Sequence, residues 1–155
     1  DGMERLALTD ANVLYGAVAF ARSCREAGIQ PILGMTALVR APGGGVATTS
    51  PWAELTLLAT GPAGYRSLCR LSSAVQAAPD RSDLPARGLD WDTLKANRDG
   101  LICLSGGRRG WVDQLLRMGN QSGASRVVSH LAGIFGENAW LALELHRPAD
   151  EEVAR

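Results

Sequence analysis

Short apolar runs typical of buried strands alternate along this chain with longer stretches that have helical spacing. Residues 5–9 predict a first strand. One apolar helix face follows at steps of three and four residues, namely Val13, Ala17, Phe20, Cys24 and Ala27. Gly28 is placed to end this helix, and residues 29–39 predict a second strand. A strand, a helix and a strand in this order indicate a parallel pair joined by a right-handed crossover.

The remainder of the chain continues the alternation. Further strands are predicted at residues 54–59, 101–104 and 140–145. One helix is predicted to start at Gly61-Pro62, and a short helix is predicted at residues 91–96. Two further helices are predicted to carry the apolar residues at 112–116 and 127–135. Residues 41–51 and 79–90 predict loops. The order β-α-β-β-α-α-β-α-α-β predicts an α/β fold with a mainly parallel sheet or barrel.

Composition excludes several classes of protein. The 155 residues suffice for one domain, and 16 basic residues balance 16 acidic ones, so overall charge does not favour nucleic-acid binding. No apolar run approaches the ~18 residues of a membrane span, and no basic segment precedes an apolar run as in a signal peptide. Three widely spaced cysteines, Cys24, Cys69 and Cys103, predict buried free thiols and a reducing, cytoplasmic compartment.

Neither end of the sequence has the features of a domain boundary. The chain reaches an apolar run by Leu6, and it ends in a charged, helix-like stretch at residues 150–155. We therefore expect a piece of a longer protein. A fragment with an uncovered core is also expected to be marginally stable or prone to aggregation when isolated.

The residues themselves offer few catalytic groups. The two histidines, His130 and His146, have no second His or Cys at metal-ligand spacing and are interpreted as surface residues. Ser105 follows a strand but lacks the G-x-S-x-G pattern of a hydrolase nucleophile. Asp10 follows the first strand, where it is either a ligand or a helix cap. Glu54 lies at the start of a predicted strand, away from the carboxyl ends where ligands gather.

Residues 105–110 form a glycine-rich segment between a predicted strand and helix. In that context backbone N–H groups can bind phosphate, and arginines add charge-assisted contacts. The candidate anion site consists of Ser105, Gly106, Arg108 and Arg109. The Lys and Ser/Thr of a P-loop are absent, so a tight turn without a ligand is the alternative interpretation.

An ordered set of segments resembles one family. The segments are residues 6–10, 15–20, 27–34, 55–59, 64–71, 100–106, 135–136 and 143–145. Together they cover nearly the whole chain and resemble the PHP (polymerase and histidinol phosphatase) domain of the bacterial DNA polymerase III alpha subunit. The segment at 105–110 is most similar to the error-prone alpha-type paralogues.

The resemblance implies a distorted (β/α)₇ barrel, of which residues 1–155 would be a partial domain truncated at both ends. The family's opening His-x-His would lie upstream of residue 1, and its closing Asp-x-His beyond residue 155. Active members of the family hold a metal cluster at the barrel mouth. Four ligand positions of that cluster correspond here to Ala11 in place of His, Thr36 in place of Glu, Glu54 in place of His, and Gly107 in place of Cys or His.

The resemblance therefore implies a non-catalytic scaffold domain with no catalytic residue, metal or other cofactor, in a DNA-directed DNA polymerase of replication or error-prone repair synthesis. Its implied partners are the rest of the polymerase chain, an exonuclease or other replisome or translesion subunit, and DNA through the parent protein. A residual site at Asp10 and Glu54 is left open. The alternatives are an active metal-dependent phosphoesterase that uses Asp10, Glu54, Glu144 and His146, and a phosphate-binding module.

Overall fold

The computed structural model describes residues 2–41, 51–77 and 88–144. The strands are β1 (Arg5–Ala11), β2 (Gln30–Arg40), β3 (Trp52–Ala59), β4 (Leu101–Leu104) and β5 (Ala139–Trp140). The helices are α1 (Ala17–Glu26), α2 (Pro62–Gln76), α3 (Trp91–Ala96), α4 (Trp111–Arg117) and α5 (Gln121–Phe135). Single 3₁₀ turns occur at Gly107–Arg109 and Gly136–Asn138. The predicted order of strands and helices is confirmed.

The strands form one five-stranded sheet in the order β1-β2-β3-β4-β5. β1 pairs with β2 and β4 pairs with β5 in parallel, whereas β3 is antiparallel to both of its neighbours. Four of the five strands therefore run in the same direction. The mixed α/β class and the mainly parallel strands are confirmed, and the reversed β3 is the exception. It has a direct consequence for the candidate site, because the start of β3 lies beside the end of β2.

The hydrophobic core lies between one face of the sheet and the helices. On β3 every second residue is buried, since Ala53, Leu55 and Leu57 face the core while their neighbours are half-buried. The helices supply buried residues to the same cluster, among them Leu68, Leu71, Val75, Trp111, Leu115, Val127 and Leu131. Burying each such side chain contributes about 1.5–3 kcal/mol. The opposite face of the sheet remains half-buried and carries Thr36 and Glu54.

The connection from β1 to α1 differs from the prediction. Asn12 adopts a left-handed conformation with φ of +59°, and α1 begins only at Ala17. Val13, predicted on the helix face, lies in the intervening turn, because the left-handed residue directs the chain away from a helical path. The helix ends as predicted, with Gly28 in the left-handed region at φ +70°.

The end of the described chain also differs from the prediction. The last strand contains only Ala139 and Trp140 rather than residues 140–145, and residues 141–144 are not in a strand. A strand needs a paired neighbour for its backbone groups, and β5 pairs with β4 at only two positions. Several predicted features lie outside the described residues. They are residue 145, His146, the charged C-terminal stretch and most of the two predicted loops.

The three cysteines are free thiols, as predicted. Cys24 and Cys103 are buried. The prediction of burial is wrong for Cys69, which is on α2 and only half-buried. Burial raises the pKa of the Cys103 thiol to about 12. Within the described ranges, none of the helices has the length and apolar character needed to cross a membrane.

Candidate functional site

A cleft of about 410 Å³ opens where β1 and β2 end and β3 begins, on the half-buried face of the sheet. It is lined by Ala11, Asn12, Val13, Tyr15, Thr36, Leu38, Glu54 and Gln76. Among the described residues that line it, Glu54 is the only carboxylate, and most of the other polar groups are neutral. Three of the four positions carried over from the family's metal cluster, Ala11, Thr36 and Glu54, therefore lie around one cleft.

Strand register explains why these residues share a cleft. Ala11 of β1 is directly opposite Thr36 of β2, and Leu38 of β2 is directly opposite Glu54 of β3. Thr36 and Leu38 are two residues apart on one strand, so all four side chains lie on the same face. Glu54 reaches this edge of the sheet because β3 is antiparallel. In a parallel β3, Glu54 would lie at the opposite end of the sheet.

Asn12 shapes the floor of the cleft and was missed in the sequence. Its backbone N–H donates to the carbonyl of Thr36 at 2.9 Å, and its side-chain Oδ1 accepts from the backbone N–H of Leu38 at 3.0 Å. The hydroxyl of Ser72 on α2 donates to its carbonyl at 3.3 Å. Asn is tolerated in the left-handed region, and here it extends the β1–β2 pairing and attaches α2 to it. The sequence signal was a short polar residue directly after a strand.

Asp10 and Glu54 are not brought together. Asp10 is opposite the buried Met35 on β2, so strand alternation places it on the face of the sheet away from Ala11 and the cleft. Its Oδ2 accepts the backbone N–H of Gly16 at 3.1 Å, at the residue that precedes α1. Asp10 thus fixes the start of α1 and does not line the cleft.

Glu54 on β3 forms an ion pair with Arg109 in the turn that follows β4. Nη1 of Arg109 lies 3.2 Å from Oε1 of Glu54. The Glu54 side chain is 25% exposed and the Arg109 side chain 79% exposed, so the pair links a half-buried carboxylate to a solvent-facing guanidinium. The two residues belong to different elements, 55 positions apart in sequence.

The glycine-rich segment after β4 is a tight turn that carries Arg109. Gly106 and Gly107 have positive φ values of +80° and +52°. The N–H of Arg109 donates to the Gly106 carbonyl at 3.3 Å, and that of Gly110 to the Gly107 carbonyl at 3.0 Å. Two of the amides that an anion site would use therefore bond within the turn. Arg108 is exposed.

Ser105 has a structural environment rather than a catalytic one. It is 3% exposed, and its backbone N–H donates to the carbonyl of Trp140 at 3.0 Å. Its hydroxyl accepts the backbone N–H of Ala142, also at 3.0 Å. Both contacts join the end of β4 to the chain that leaves β5.

Gly106 and Gly107 each stand where a side chain has no room. A Cβ on Gly106 would overlap the backbone carbonyl of Glu54, which places the turn directly on β3. A Cβ on Gly107 would overlap the carboxylate of Glu144. The fourth family ligand position therefore has no side chain, and an acidic side chain from beyond β5 fills the adjacent space.

The remaining polar candidates lie away from the cleft. His130 on α5 is exposed, as predicted, and its ring makes an edge-to-face contact with Trp91 at 4.6 Å between centroids. Across residues 2–41, 51–77 and 88–144, no group of three or more His, Cys, Asp and Glu side chains is arranged to hold a metal ion.

The fold and the cleft define the class of protein, an α/β domain whose candidate site lies at the strand ends of a mainly parallel sheet. A family model described as "PHP domain" matches residues 1–148, and the chain belongs to the PHP domain family.

Its relatives are bacterial polymerases. The chain is 35% identical over 147 residues to the DNA polymerase III subunit alpha of Caulobacter vibrioides, and this match covers 93% of this chain and 12% of that protein. It is 38% identical over 165 aligned positions to the error-prone DNA polymerase of Symbiobacterium thermophilum, covering 98% of this chain and 14% of that protein. Identity to the Bacillus subtilis DNA polymerase III subunit alpha is 33% over 139 residues, covering 90% of this chain and 12% of that protein. The chain thus spans about an eighth of the length of these relatives.

Proposed function

We propose that this chain is the PHP domain of a larger bacterial DNA polymerase, of the replicative alpha or the error-prone type, and that it serves there as a non-catalytic scaffold. The names of the relatives and the small share of their length that the chain spans support the first part. In the full-length protein the sheet would be part of a distorted (β/α)₇ barrel, with further chain closing the edges at β1 and β5. A cytoplasmic location fits a polymerase with free thiols.

The composition of the cleft carries the proposal of a non-catalytic role. A metal cluster needs imidazole, carboxylate or thiolate ligands that converge. Ala11 offers only a methyl group, and the Thr36 hydroxyl donates to the carbonyl of Thr9 at 3.3 Å. Glu54 is already paired with Arg109. Gly107 has no side chain, so these residues do not suit the metal cluster that the family implies.

The intact core supports a structural role. On β2 and β3 the residues that alternate with the cleft residues are apolar and buried, with Met35, Ala37, Leu55 and Leu57 all without exposed surface. A domain that has lost ligands but not packing can still support its neighbours. We expect those neighbours to be the rest of the polymerase chain and, through it, an exonuclease or other replisome subunit and DNA.

The experiment measures phosphoester hydrolysis by the full-length protein, purified without chelator. A generic phosphodiester and a single-stranded oligonucleotide with a labelled 3′ end are assayed with added Mn²⁺ or Zn²⁺. The scaffold proposal predicts no turnover that depends on the cleft, so wild type and Glu54→Gln should have the same background rate.

A matched control separates the cleft from contamination. Glu137→Gln changes an exposed carboxylate in the 3₁₀ turn after α5. Turnover that Glu54→Gln abolishes and Glu137→Gln leaves unchanged would contradict the proposal. That result would favour a phosphoesterase that uses atypical ligands.

A further inference from the structure

Glu54 is a partly buried carboxylate. Its backbone belongs to a central strand of the sheet, and three quarters of its side-chain surface is covered. Across the strand it faces Leu38, and the other described residues that line the cleft are neutral. A partly buried carboxylate loses part of its hydration, and a nearby positive charge compensates for some of that loss.

The turn after β4 positions that charge. Gly106 brings the turn against the backbone of β3 at Glu54 itself, where any side chain would overlap the carbonyl. The Arg109 carbonyl accepts the side-chain amide of Gln114 at 2.9 Å, which fixes the end of the turn to α4. The guanidinium therefore extends from an anchored backbone to Oε1 of Glu54.

We propose that Arg109 replaces the metal ion as the cation of this site. The inference rests on the proposed function and adds how the site remains stable without metal. The family resemblance places a metal ligand at Glu54 and another at Gly107, on the turn that carries Arg109. In the structure the same two segments are joined by a guanidinium–carboxylate pair. Arg109 is a positioning residue for the turn and for Glu54, with no part in catalysis.

Two properties follow from this arrangement. Breaking the pair should loosen the turn, because its electrostatic link to β3 is lost. Restored metal ligands should also compete with Arg109, because a guanidinium and a metal ion would neutralise the same carboxylate. A surface ion pair at any other place would have the first property but not the second.

The first experiment measures hydrogen exchange of the amides of residues 105–110 in the full-length protein. Arg109→Ala should exchange about two- to fivefold faster than wild type, the range expected for a partly exposed ion pair. The acceleration should disappear when Arg109→Ala is made in a Glu54→Gln background, and Arg109→Lys should restore part of the protection. Equal acceleration in both backgrounds would overturn the proposal.

The second experiment restores ligands with Ala11→His and Thr36→Glu and measures Mn²⁺ binding by calorimetry. Adding Arg109→Ala should tighten binding about tenfold, the effect expected when a positive charge is removed next to a ligand. The control is Arg117→Ala, which breaks the 2.6 Å Asp113–Arg117 pair on α4, and neither of these residues lines the cleft. Equal affinity with and without Arg109, or no Mn²⁺ binding in either background, would overturn the proposal.

The two proposals can fail separately. Stoichiometric metal in the wild-type protein would contradict the non-catalytic role directly. A metal-free wild type in which Arg109→Ala changes neither exchange nor Mn²⁺ affinity would leave the scaffold role in place and remove the role of Arg109.

Discussion

Replacing Gly106 by Ala should destabilise the domain far more than the same change at Gly119. Both glycines have positive φ, +80° and +72°, so both substitutions place an L-residue in the left-handed region at a cost of about 1–2 kcal/mol. A Cβ on Gly119 meets no atom within 4 Å. A Cβ on Gly106 overlaps the backbone carbonyl of Glu54, which cannot move without displacing β3. Forced backbone shifts of this kind cost a further 1–3 kcal/mol, so Gly106→Ala should cost about 2–5 kcal/mol.

Hydrogen exchange of the β3 amides in the full-length protein measures the difference. The cost at Gly106 corresponds to exchange about 30-fold to several thousand-fold faster than wild type, against about 5- to 30-fold for Gly119→Ala. Gly119→Ala is thus a matched control for backbone strain alone. Equal acceleration in the two variants would refute the reasoning, because the turn would then not be packed rigidly on β3 and could not position Arg109.

Three further predictions concern the core and the cleft. Asn12→Ala should destabilise the domain by about 1–3 kcal/mol, because it leaves the half-buried N–H of Leu38 without its acceptor. Asn12→Asp keeps an acceptor oxygen and should retain most of the stability. Chemical denaturation measures the free energy of unfolding of both variants. Cys103 should resist alkylation by iodoacetamide at pH 8 while the half-buried Cys69 reacts, as peptide mass mapping would show, and faster labelling of Cys103 would contradict its burial. The Cys103 thiol has a pKa of about 12 in the folded state against 9.0 for the ordinary thiol. Its contribution to the stability of the folded state is therefore complete below pH 9 and is lost as the pH rises towards 12. Cys103→Ala should therefore flatten the alkaline loss of stability, and an unchanged slope would contradict this assignment.

The sequence predicted the elements of the fold more reliably than their mutual direction. Helix α3 and strand β4 have the predicted bounds, because short apolar runs bounded by Asp, Gly and Pro residues determine local structure. The reversed direction of β3 escaped prediction. Strand direction depends on which distant strand supplies hydrogen-bond partners, and no local pattern encodes that choice.

In the candidate site, too, the residues could be named from the sequence, but their contacts across the sheet could not. Family positions carried over to Ala11, Thr36 and Glu54 could be named from sequence, and the register of the sheet explains why they share a cleft. The predicted position of Glu54, away from the strand ends that gather ligands, is wrong because β3 is antiparallel to β2. The contact of Arg109 with Glu54 joins residues 55 positions apart, and spacing along the chain carries no signal for such a pair.

The metal content of the full-length protein tests the central claim most directly. Elemental analysis for Mn, Fe and Zn is made on protein purified without chelator, together with the Glu54→Gln variant. The account predicts no stoichiometric transition metal in either protein, because Ala11, Thr36 and Gly107 offer no ligand side chain suited to such a metal and Glu54 is paired with Arg109. Tightly bound metal in the wild type that Glu54→Gln removes would contradict the account and would show that other ligands complete the site.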